Sequence, residues 1–480
     1  MKKCFKKYDK IIIALGFFFL VFLMSWFIKA GNYNNGVYVE GEYGRAGIYT
    51  FFYYLFGAFS YKIMDVFFIL IVGGCYGILA ETKGYRKLVD KTINFIHGKE
   101  KIVFAVLVFL IGVFTSISTQ PFVVFAIIPF IITVFLGDGR DRMTAFLAAF
   151  GGIFVGLLGM TYGTYGFDYL NQYLLIKTTD QIILKIVIFI LMYALFVGFG
   201  ILHMNKYKKS VDEIDYDLFA TEELDESGVK KNKKIKVWPT ALVLGLGVLV
   251  LVVAYLSWNT GFNVKFFNDL FEKFNTKFLI VNEVPLAATI LGTNSESALP
   301  FGMLSDVLFA SFLMLVVTII MAIVNKQPLN KFFDNFGYGM KKVSKVAIVY
   351  ALCFAPIIFA TQYPWAITFV NSIFGDGKFN IFKILFAGFS SQTLLIEQDL
   401  LGVIFGKYLA TAFLDKVVIT SIVWRFGLGL SLLVAPTSFI LMSGLTYLEI
   451  PYTKWLKYVW KVALSSLFIF ALAMFIVVYL

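Results

Sequence analysis

The sequence predicts an all-α polytopic membrane protein, and three observations carry this prediction. Hydrophobic residues make up 59% of the 480 residues and charged residues only 15%, a balance far from that of soluble domains. Several apolar stretches are long enough to cross a hydrocarbon core of about 30 Å. The same order of spans and polar interruptions also recurs in both halves of the chain. We therefore expect about nine transmembrane helices and two re-entrant hairpins, arranged as an inverted-topology repeat.

Composition and motifs exclude several other classes of protein. The net charge of +12 indicates cytoplasmic loops facing anionic lipid, and it does not indicate a nucleic-acid partner. Cys4, Cys75 and Cys353 do not have the spacing of metal ligands, and no further candidate metal ligands accompany His97 or His203 in the sequence. We expect no metal and no cofactor. A nucleophile–base set, an HExxH motif and a phosphate loop are all absent from the sequence, so we do not expect an enzyme.

The first repeat is predicted to cover residues 1–203. Five lysines in residues 1–10 predict a cytoplasmic N-terminus. Residues 29–60 carry few positive charges and are expected to form an outer loop with an interfacial helix. The predicted membrane elements are spans at 11–28 and 65–80, a hairpin at 102–136, a broken helix at 143–166 and a span at 181–202.

A cytoplasmic linker at 204–236 and a joining span at 237–258 are predicted to separate the halves. The second repeat covers residues 259–480 and begins with a further outer segment. Its predicted elements are spans at 304–324 and 346–360, a hairpin at 379–405, a broken helix at 417–449 and a span at 462–480. The C-terminus is then outside, and we expect the plasma membrane as the location.

The two broken helices share residues at a constant offset. Phe150, Gly151, Leu158 and Thr161 correspond to Phe426, Gly427, Val434 and Thr437. Pro436 interrupts the second copy because it lacks an N–H group and clashes with the preceding turn. In lipid such a break is tolerated only where it is buried in protein or lines a polar cavity.

Each hairpin is marked by a polar interruption in an apolar stretch. The first interruption matches the second as follows: Phe114, Thr115, Ser116 and Ser118 with Phe389, Ser390, Ser391 and Thr393. The first hairpin has Lys- and Arg-rich flanks, whereas residues 362–378 hold one Lys, which predicts opposite orientations in the membrane. Two interpretations of 102–136 stay open. One is a re-entrant hairpin, and the other is a pair of ordinary spans with a polar turn outside.

Paired interrupted segments indicate a solute site near the membrane midplane. The candidate substrate-binding residues are Thr115, Ser116, Ser118, Thr119, Gln120, Thr161, Tyr162, Thr164, Ser390, Ser391, Gln392, Thr393, Arg425, Pro436, Thr437 and Ser438. The alternative is that the hydroxyls only cap frayed backbone. Arg425 is a formal cation deep in a span, where charge is expensive and usually functional. We expect it to balance a substrate carboxylate, or Glu397 or Asp399, two acids that could carry a coupling proton. Lys185 lies near a helix end and is expected to reach the interface.

The C-terminal part of the sequence resembles the YfcC-like family of the ion-transporter superfamily, which is related to the p-aminobenzoyl-glutamate and C4-dicarboxylate carriers. The resemblance rests on the segments Leu433–Ser438, Met442–Leu445 and Ile450–Lys457, with a weaker match at Val72–Gly74. It implies a homodimeric secondary carrier, ion-coupled or exchanging, whose hairpins and broken helices move against a scaffold.

These observations predict a secondary active transporter, of the elevator type, for a small carboxylate-bearing metabolite such as an amino acid, short peptide or dicarboxylate. Na+ or H+ is the expected coupling ion if the carrier is not an exchanger. The expected partners are the solute, the lipid bilayer and a second copy of the chain. One alternative is a basic amino acid exchanger of the arginine/ornithine type, with Glu397 and Asp399 as partners of the substrate. Another class, a channel or a membrane scaffold protein, stays open.

Overall fold

The structure is a computed structural model that describes residues 2–207, 237–277, 279, 299–374, 377–394 and 398–479. For residues 2–7, 398–400 and 479 it describes the backbone only. Most of the predicted linker 204–236 and all of Glu397 therefore lie outside the described residues, and so does the side chain of Asp399.

The described chain is built almost entirely from α-helices, which confirms an all-α polytopic membrane protein. Seven described helices are long and apolar enough to cross a membrane. They are Ile63–Glu81, Glu100–Ile117, Ile182–Lys206, Trp238–Tyr255, Leu329–Gln362, the interrupted helical segment Leu414–Tyr447, and Tyr452–Val478. Six of them coincide with predicted spans, and Glu100–Ile117 is the first arm of the predicted hairpin at 102–136.

Four predicted membrane segments correspond to helices with other limits. The spans at 143–166 and 304–324 correspond to helices of 17 residues each, which is a little short for a bilayer core. The span at 11–28 corresponds to a helix that begins at Lys2 and ends at Met24. It ends early because Lys29 already begins a β-strand. The predicted span at 346–360 is the final part of a helix that begins at Leu329.

In the first half the elements are α1 (Lys2–Met24), β1 (Lys29–Asn34), β2 (Val37–Tyr43), α2 (Ile48–Tyr61), α3 (Ile63–Glu81), α4 (Lys83–Ile96), α5 (Glu100–Ile117), a 3-10 helix (Pro121–Ala126), α6 (Ile128–Gly137), α7 (Arg142–Leu158), α8 (Asp168–Leu174) and α9 (Ile182–Lys206).

In the second half they are α10 (Trp238–Tyr255), α11 (Phe266–Thr276), α12 (Leu308–Val324), α13 (Leu329–Gln362), α14 (Trp365–Phe374), α15 (Ile381–Leu394), α16 (Gln398–Ala412), a 3-10 turn (Leu414–Lys416), α17 (Val417–Val434), α18 (Phe439–Tyr447) and α19 (Tyr452–Tyr479).

The expected outer loop at 29–60 contains an antiparallel β-hairpin, β1–β2. Asn35 and Gly36 form its turn with φ values of 51° and 85°, a left-handed pair typical of tight hairpin turns. The Tyr33 hydroxyl contacts Asn371 Oδ1 at 2.7 Å, and Lys407 donates to Asn35 Oδ1 at 3.1 Å. The β-hairpin therefore joins α14 to α16.

Small residues let α3 and α13 approach each other at backbone distance. A Cβ at Gly73 would lie 2.8 Å from the carbonyl oxygen of Gly339, and one at Gly77 would lie 2.4 Å from that of Asn335. Side chains larger than hydrogen cannot fit at these positions, so the two helices form one tightly packed pair.

Each hairpin packs on the broken helix of its own half. A Cβ at Gly152 would lie 2.5 Å from the Ile111 side chain in α5. In the second half, a Cβ at Gly427 would lie 2.8 Å from the Phe389 backbone nitrogen in α15. The halves meet where Gly429 of α17 packs on the backbone of Leu158 in α7.

Candidate functional site

In both predicted hairpins, the first and last residues lie close together. Arg140, just after α6, donates to Glu100 at the start of α5, at 2.6 Å. The base of the second hairpin closes through aromatic contacts, with Phe379 and Phe413 ring centroids 5.9 Å apart. Lys416 Nζ lies 4.8 Å from the Phe379 ring.

The tip of the first hairpin is buried by protein. Ser118 is fully buried, and the Thr119 amide donates to the Tyr255 carbonyl at 2.9 Å. The Gln120 side chain donates to the Ser305 carbonyl at 2.8 Å. The tip therefore lies against the end of α10 and the segment before α12, so its polar groups are satisfied without a surrounding aqueous loop.

Hydroxyls at the first break join the hairpin tip to the broken helix. α7 ends at Leu158, and the amides of Thr161 and Gly163 both donate to the Ser116 carbonyl, at 3.0 and 2.9 Å. The Ser116 and Thr161 hydroxyls lie 3.1 Å apart. Thr115 Oγ1 donates within α5 to Ile111 O, at 2.9 Å. These groups satisfy backbone that the break leaves without helical partners.

The second break is organised in the same way. The Thr437 hydroxyl donates to the Thr393 carbonyl at 3.0 Å, and the Thr393 hydroxyl lies 2.9 Å from that of Ser431. Pro436 stands in the turn between α17 and α18. Ser438 then caps α18 by accepting from the Leu441 amide at 3.3 Å.

Two other candidate residues of this hairpin are also buried. Ser390 is 5% exposed. The Gln392 side-chain nitrogen is buried, and it has no hydrogen-bond partner among the described atoms.

Hydroxyl contacts of the same kind occur in both predicted hairpins. Thr115 Oγ1 also lies 3.1 Å from the Gly112 carbonyl oxygen, and Ser391 Oγ donates to the Gly388 carbonyl at 3.0 Å. Each residue of the second contact lies 276 residues after its counterpart, the offset that also relates Thr161 to Thr437. The Ser116 hydroxyl makes the same kind of contact with the Val113 carbonyl at 2.9 Å, and this contact relates Ser116 to Ser391 at the offset of 275 residues that the sequence alignment used.

A cavity of about 410 Å³ adjoins the first break. Its lining includes the hairpin tip, the segment after α7 and the facing ends of α3, α12 and α18. The lining residues are Tyr61, Lys62, Met64, Asp65, Thr119, Gln120, Thr164, Tyr165, Gly166, Asp168, Thr260, Gly302, Met303, Ser305, Asp306, Val307, Tyr350, Phe354 and Phe439. Three carboxylates and one ammonium group thus line a cavity large enough for a small metabolite.

Three of the candidate residues from the sequence line this cavity: Thr119, Gln120 and Thr164. The tip and break of the second half do not line it, although Phe439 of α18 does, and its ring lies 5.6 Å from that of Phe122. Tyr162 lies away from the cavity wall, with its ring 4.7 Å from that of Phe262.

Sequence reasoning missed the charged residues of the wall, Lys62, Asp65, Asp168 and Asp306. Each stands beside the start of a helix, where a charge is ordinarily solvated or caps the helix. Asp306 does accept from the Leu308 amide at 2.9 Å, and Lys62 and Asp65 lie 3.6 Å apart. The available signal was that Lys62 and Asp168 fall beside predicted membrane segments, and that Asp65 and Asp306 fall among the first residues of predicted spans.

Arg425 is buried, but it does not line the large cavity. Its Nη1 donates to the Gly163 carbonyl at 3.0 Å and its Nη2 to Asn171 Oδ1 at 3.0 Å. The guanidinium also lies 4.7 Å from the Phe167 ring. Arg425 therefore joins α17 of the second half to α8 of the first half and to the segment that precedes α8.

Lys185, which was expected to reach the membrane interface, has a buried side chain. It is 4% exposed, and its Nζ donates to the Thr178 carbonyl at 2.7 Å. Its side chain turns inward toward the segment that precedes α9.

Both histidines lie next to carboxylates that the sequence analysis did not predict. His97 Nδ1 lies 2.9 Å from Asp138, and ligand atoms of His97, Glu100 and Asp138 all lie within 4.8 Å of one another. Arg140 contacts both carboxylates, so its guanidinium offsets part of their negative charge. His203 Nε2 lies 3.1 Å from Asp141.

The chain matches no protein-family model and no curated protein. Among solved structures it is similar to the crystal structure of the Alcanivorax borkumensis YdaH transporter, with a TM-score of 0.38 and 12% sequence identity over 99% of each chain. A likeness at this level carries no argument about function, which rests on the cavity and its residues.

Proposed function

We propose that this membrane protein is a secondary active transporter for a small metabolite with an amino group, such as an amino acid or short peptide. The observation that carries the proposal is the cavity wall. One side of it is the hairpin tip and the segment after the broken helix, and the other is the charged ends of α3 and α12. A solute held there contacts both kinds of element, as alternating access around one site requires.

The charges of the wall support this substrate class. Asp65, Asp168 and Asp306 give three negative charges against the one positive charge of Lys62. At a few ångströms, and with partial exclusion of water, such an excess favours a cationic group by several kcal/mol in order of magnitude. Lys62 offers a partner for a substrate carboxylate, so an amino acid satisfies both signs.

An elevator-type movement is the mechanism we favour. In each half the hairpin tip is hydrogen-bonded to its broken helix, through Ser116–Thr161 and Thr393–Thr437. The tightly packed pair of α3 and α13 supplies a separate scaffold. Sodium or protons compete naturally for the wall carboxylates and are the coupling ions we propose for a symporter.

A basic amino acid exchanger is the second candidate, because the wall carries more carboxylates than ammonium groups. The contacts of Arg425 also favour this candidate. They keep its guanidinium out of the described cavity wall, where it would be needed to bind a dicarboxylate. Under this proposal Glu397 and Asp399, which lie outside the described side chains, are the sequence-predicted partners of the basic substrate. We further propose membership of the YfcC-like group, a homodimer, and a plasma-membrane location with the N-terminus inside.

The test is counterflow in proteoliposomes with labelled arginine, ornithine, glutamate and succinate. We expect saturable, trans-stimulated uptake of a solute with an amino group. Asp168→Asn should lower uptake about tenfold or more, the effect of losing about 1.4 kcal/mol of binding. Asp269→Asn is the matched control, because Asp269 is exposed on α11 and does not line the cavity.

Other results would contradict the proposal. Flux that rises linearly with concentration would indicate a channel, and the absence of flux for every solute would favour a scaffold protein. Succinate uptake that Asp168→Asn leaves unchanged would rule out this cavity as the site.

A further inference from the structure

Two cations are buried in helices α17 and α9. Arg425 is 3% exposed and Lys185 is 4% exposed. Among the described residues, neither has a carboxylate oxygen within 4.0 Å. Asp168 and Asp180 act on these cations only from a longer distance. Two buried cationic groups without contacting counter-charges are costly to keep charged.

The hydrogen-bond donors of both groups are also incompletely used. Lys185 has three N–H donors, and one of them reaches Thr178 O. Arg425 has five. Two reach oxygen acceptors at 3.0 Å, one makes a long contact of 3.4 Å with Ser421, and one points at Met160 Sδ at 3.3 Å. A thioether is a weak acceptor, so this donor gains little.

Both cations line one small void at the first helix break. The void has a volume of about 10 Å³, which is at the lower limit for one water and smaller than a halide ion requires, so an ion enters only if a side chain of the wall moves. Gly159 and Met160 of the break form part of its wall, and Phe470 of α19 closes it. The Met160 side chain is unbranched and can turn aside to enlarge the space. A sulfate or an organic carboxylate is too large for such a site.

We propose that Arg425 and Lys185 bind a monatomic anion, of the chloride class, in this void. The anion accepts from the N–H groups that lack good acceptors and balances the two charges. It also joins the break after α7 to α17 and α9, so it acts as a structural ion between the two halves of the chain. This inference does not depend on the proposed transport activity.

The experiment is thermal unfolding of the purified protein in sodium chloride, sodium bromide and sodium gluconate at equal ionic strength. We expect a saturable rise of the Tm in chloride and bromide of about 2–5 °C over gluconate. Lys185→Met should abolish this rise and should be at least as stable as the wild type in gluconate, because it removes a buried charge. Lys206→Met, at the exposed end of the same helix, should keep the rise.

A second measurement does not require a variant that folds. A bromide-soaked crystal of the wild type should give an anomalous peak within hydrogen-bond distance of both Lys185 Nζ and the Arg425 guanidinium. Equal Tm values in chloride and gluconate, or a halide effect that survives in Lys185→Met, would overturn the proposal. So would an anomalous map without a peak between the two side chains.

Discussion

Arg140 donates to the Glu100 carboxylate at 2.6 Å, although these residues stand at opposite ends of the segment formed by α5 and α6. The two ends of this segment therefore lie next to each other. The second hairpin closes in the same manner, between Phe379 and Phe413. The sequence predicts that these two closing points lie on opposite sides of the membrane.

Cysteine labelling tests that arrangement. In a background without the natural cysteines, an impermeant maleimide should label Asp415→Cys in intact cells. Lys99→Cys and Lys206→Cys should be labelled only after the membrane is opened, because positive loops stay inside. All three positions are exposed. Labelling of Lys99→Cys and Asp415→Cys from the same side would disprove the inverted repeat.

Close packing at Gly156 predicts a strong effect of a single methyl group. A Cβ there would lie 1.8 Å from Thr115 Oγ1 and 2.6 Å from the Gly112 carbonyl oxygen. Gly156→Ala should therefore destabilise the protein by about 1–3 kcal/mol or more, the usual cost of overpacking. Thermal unfolding in detergent measures it. Gly198→Ala is the control, because a Cβ at Gly198 meets nothing within 4 Å, and it should preserve or raise the Tm.

Arg425→Lys should destabilise the protein although it keeps the charge. A lysine cannot reach Gly163 O and Asn171 Oδ1 together as the planar guanidinium does. Buried acceptors then lose charged donors, at a cost of about 2–4 kcal/mol in total. The Tm should fall markedly, whereas Arg45→Lys at an exposed position should leave it unchanged. An unchanged Tm for Arg425→Lys would mean that the charge alone matters.

Asp141, just before α7, predicts a pH dependence of stability. Burial raises the pKa of Asp141, but hydrogen bonds from His203 and Thr144 outweigh this effect and hold the pKa below 3.8. Because the folded pKa is lowered, Asp141 stabilises the fold fully above the unfolded value, and this stability is lost as the pH falls through the folded value.

The variant Asp141→Asn isolates that charge, because asparagine also caps helices well. Its Tm should lie below that of the wild type at neutral pH, and the difference should shrink as the pH falls below about 4. Asp269→Asn should show no such trend. A Tm difference that stays constant down to the most acidic pH would exclude the assigned charge effect.

Hydropathy and helix breakers predicted the membrane class and most long helices, because these features depend on local sequence. The β-hairpin was missed despite its Asn35–Gly36 turn, since the segment was interpreted only by its low positive charge. The contact between Arg425 and Gly163 joins positions 262 residues apart, and no local pattern encodes it. The charged cavity wall was missed for the same reason, because Asp65, Asp168 and Asp306 come together only in three dimensions.

The β-hairpin at residues 29–43 has a consequence for experiments on intact cells. It holds α14 and α16 together through Asn371 and Lys407, so its tip must follow any displacement of the second hairpin. An antibody fragment raised against the tip would clamp a part of the molecule that the predicted topology presents to the medium. Such a fragment would hinder this displacement from outside the cell without binding in the cavity.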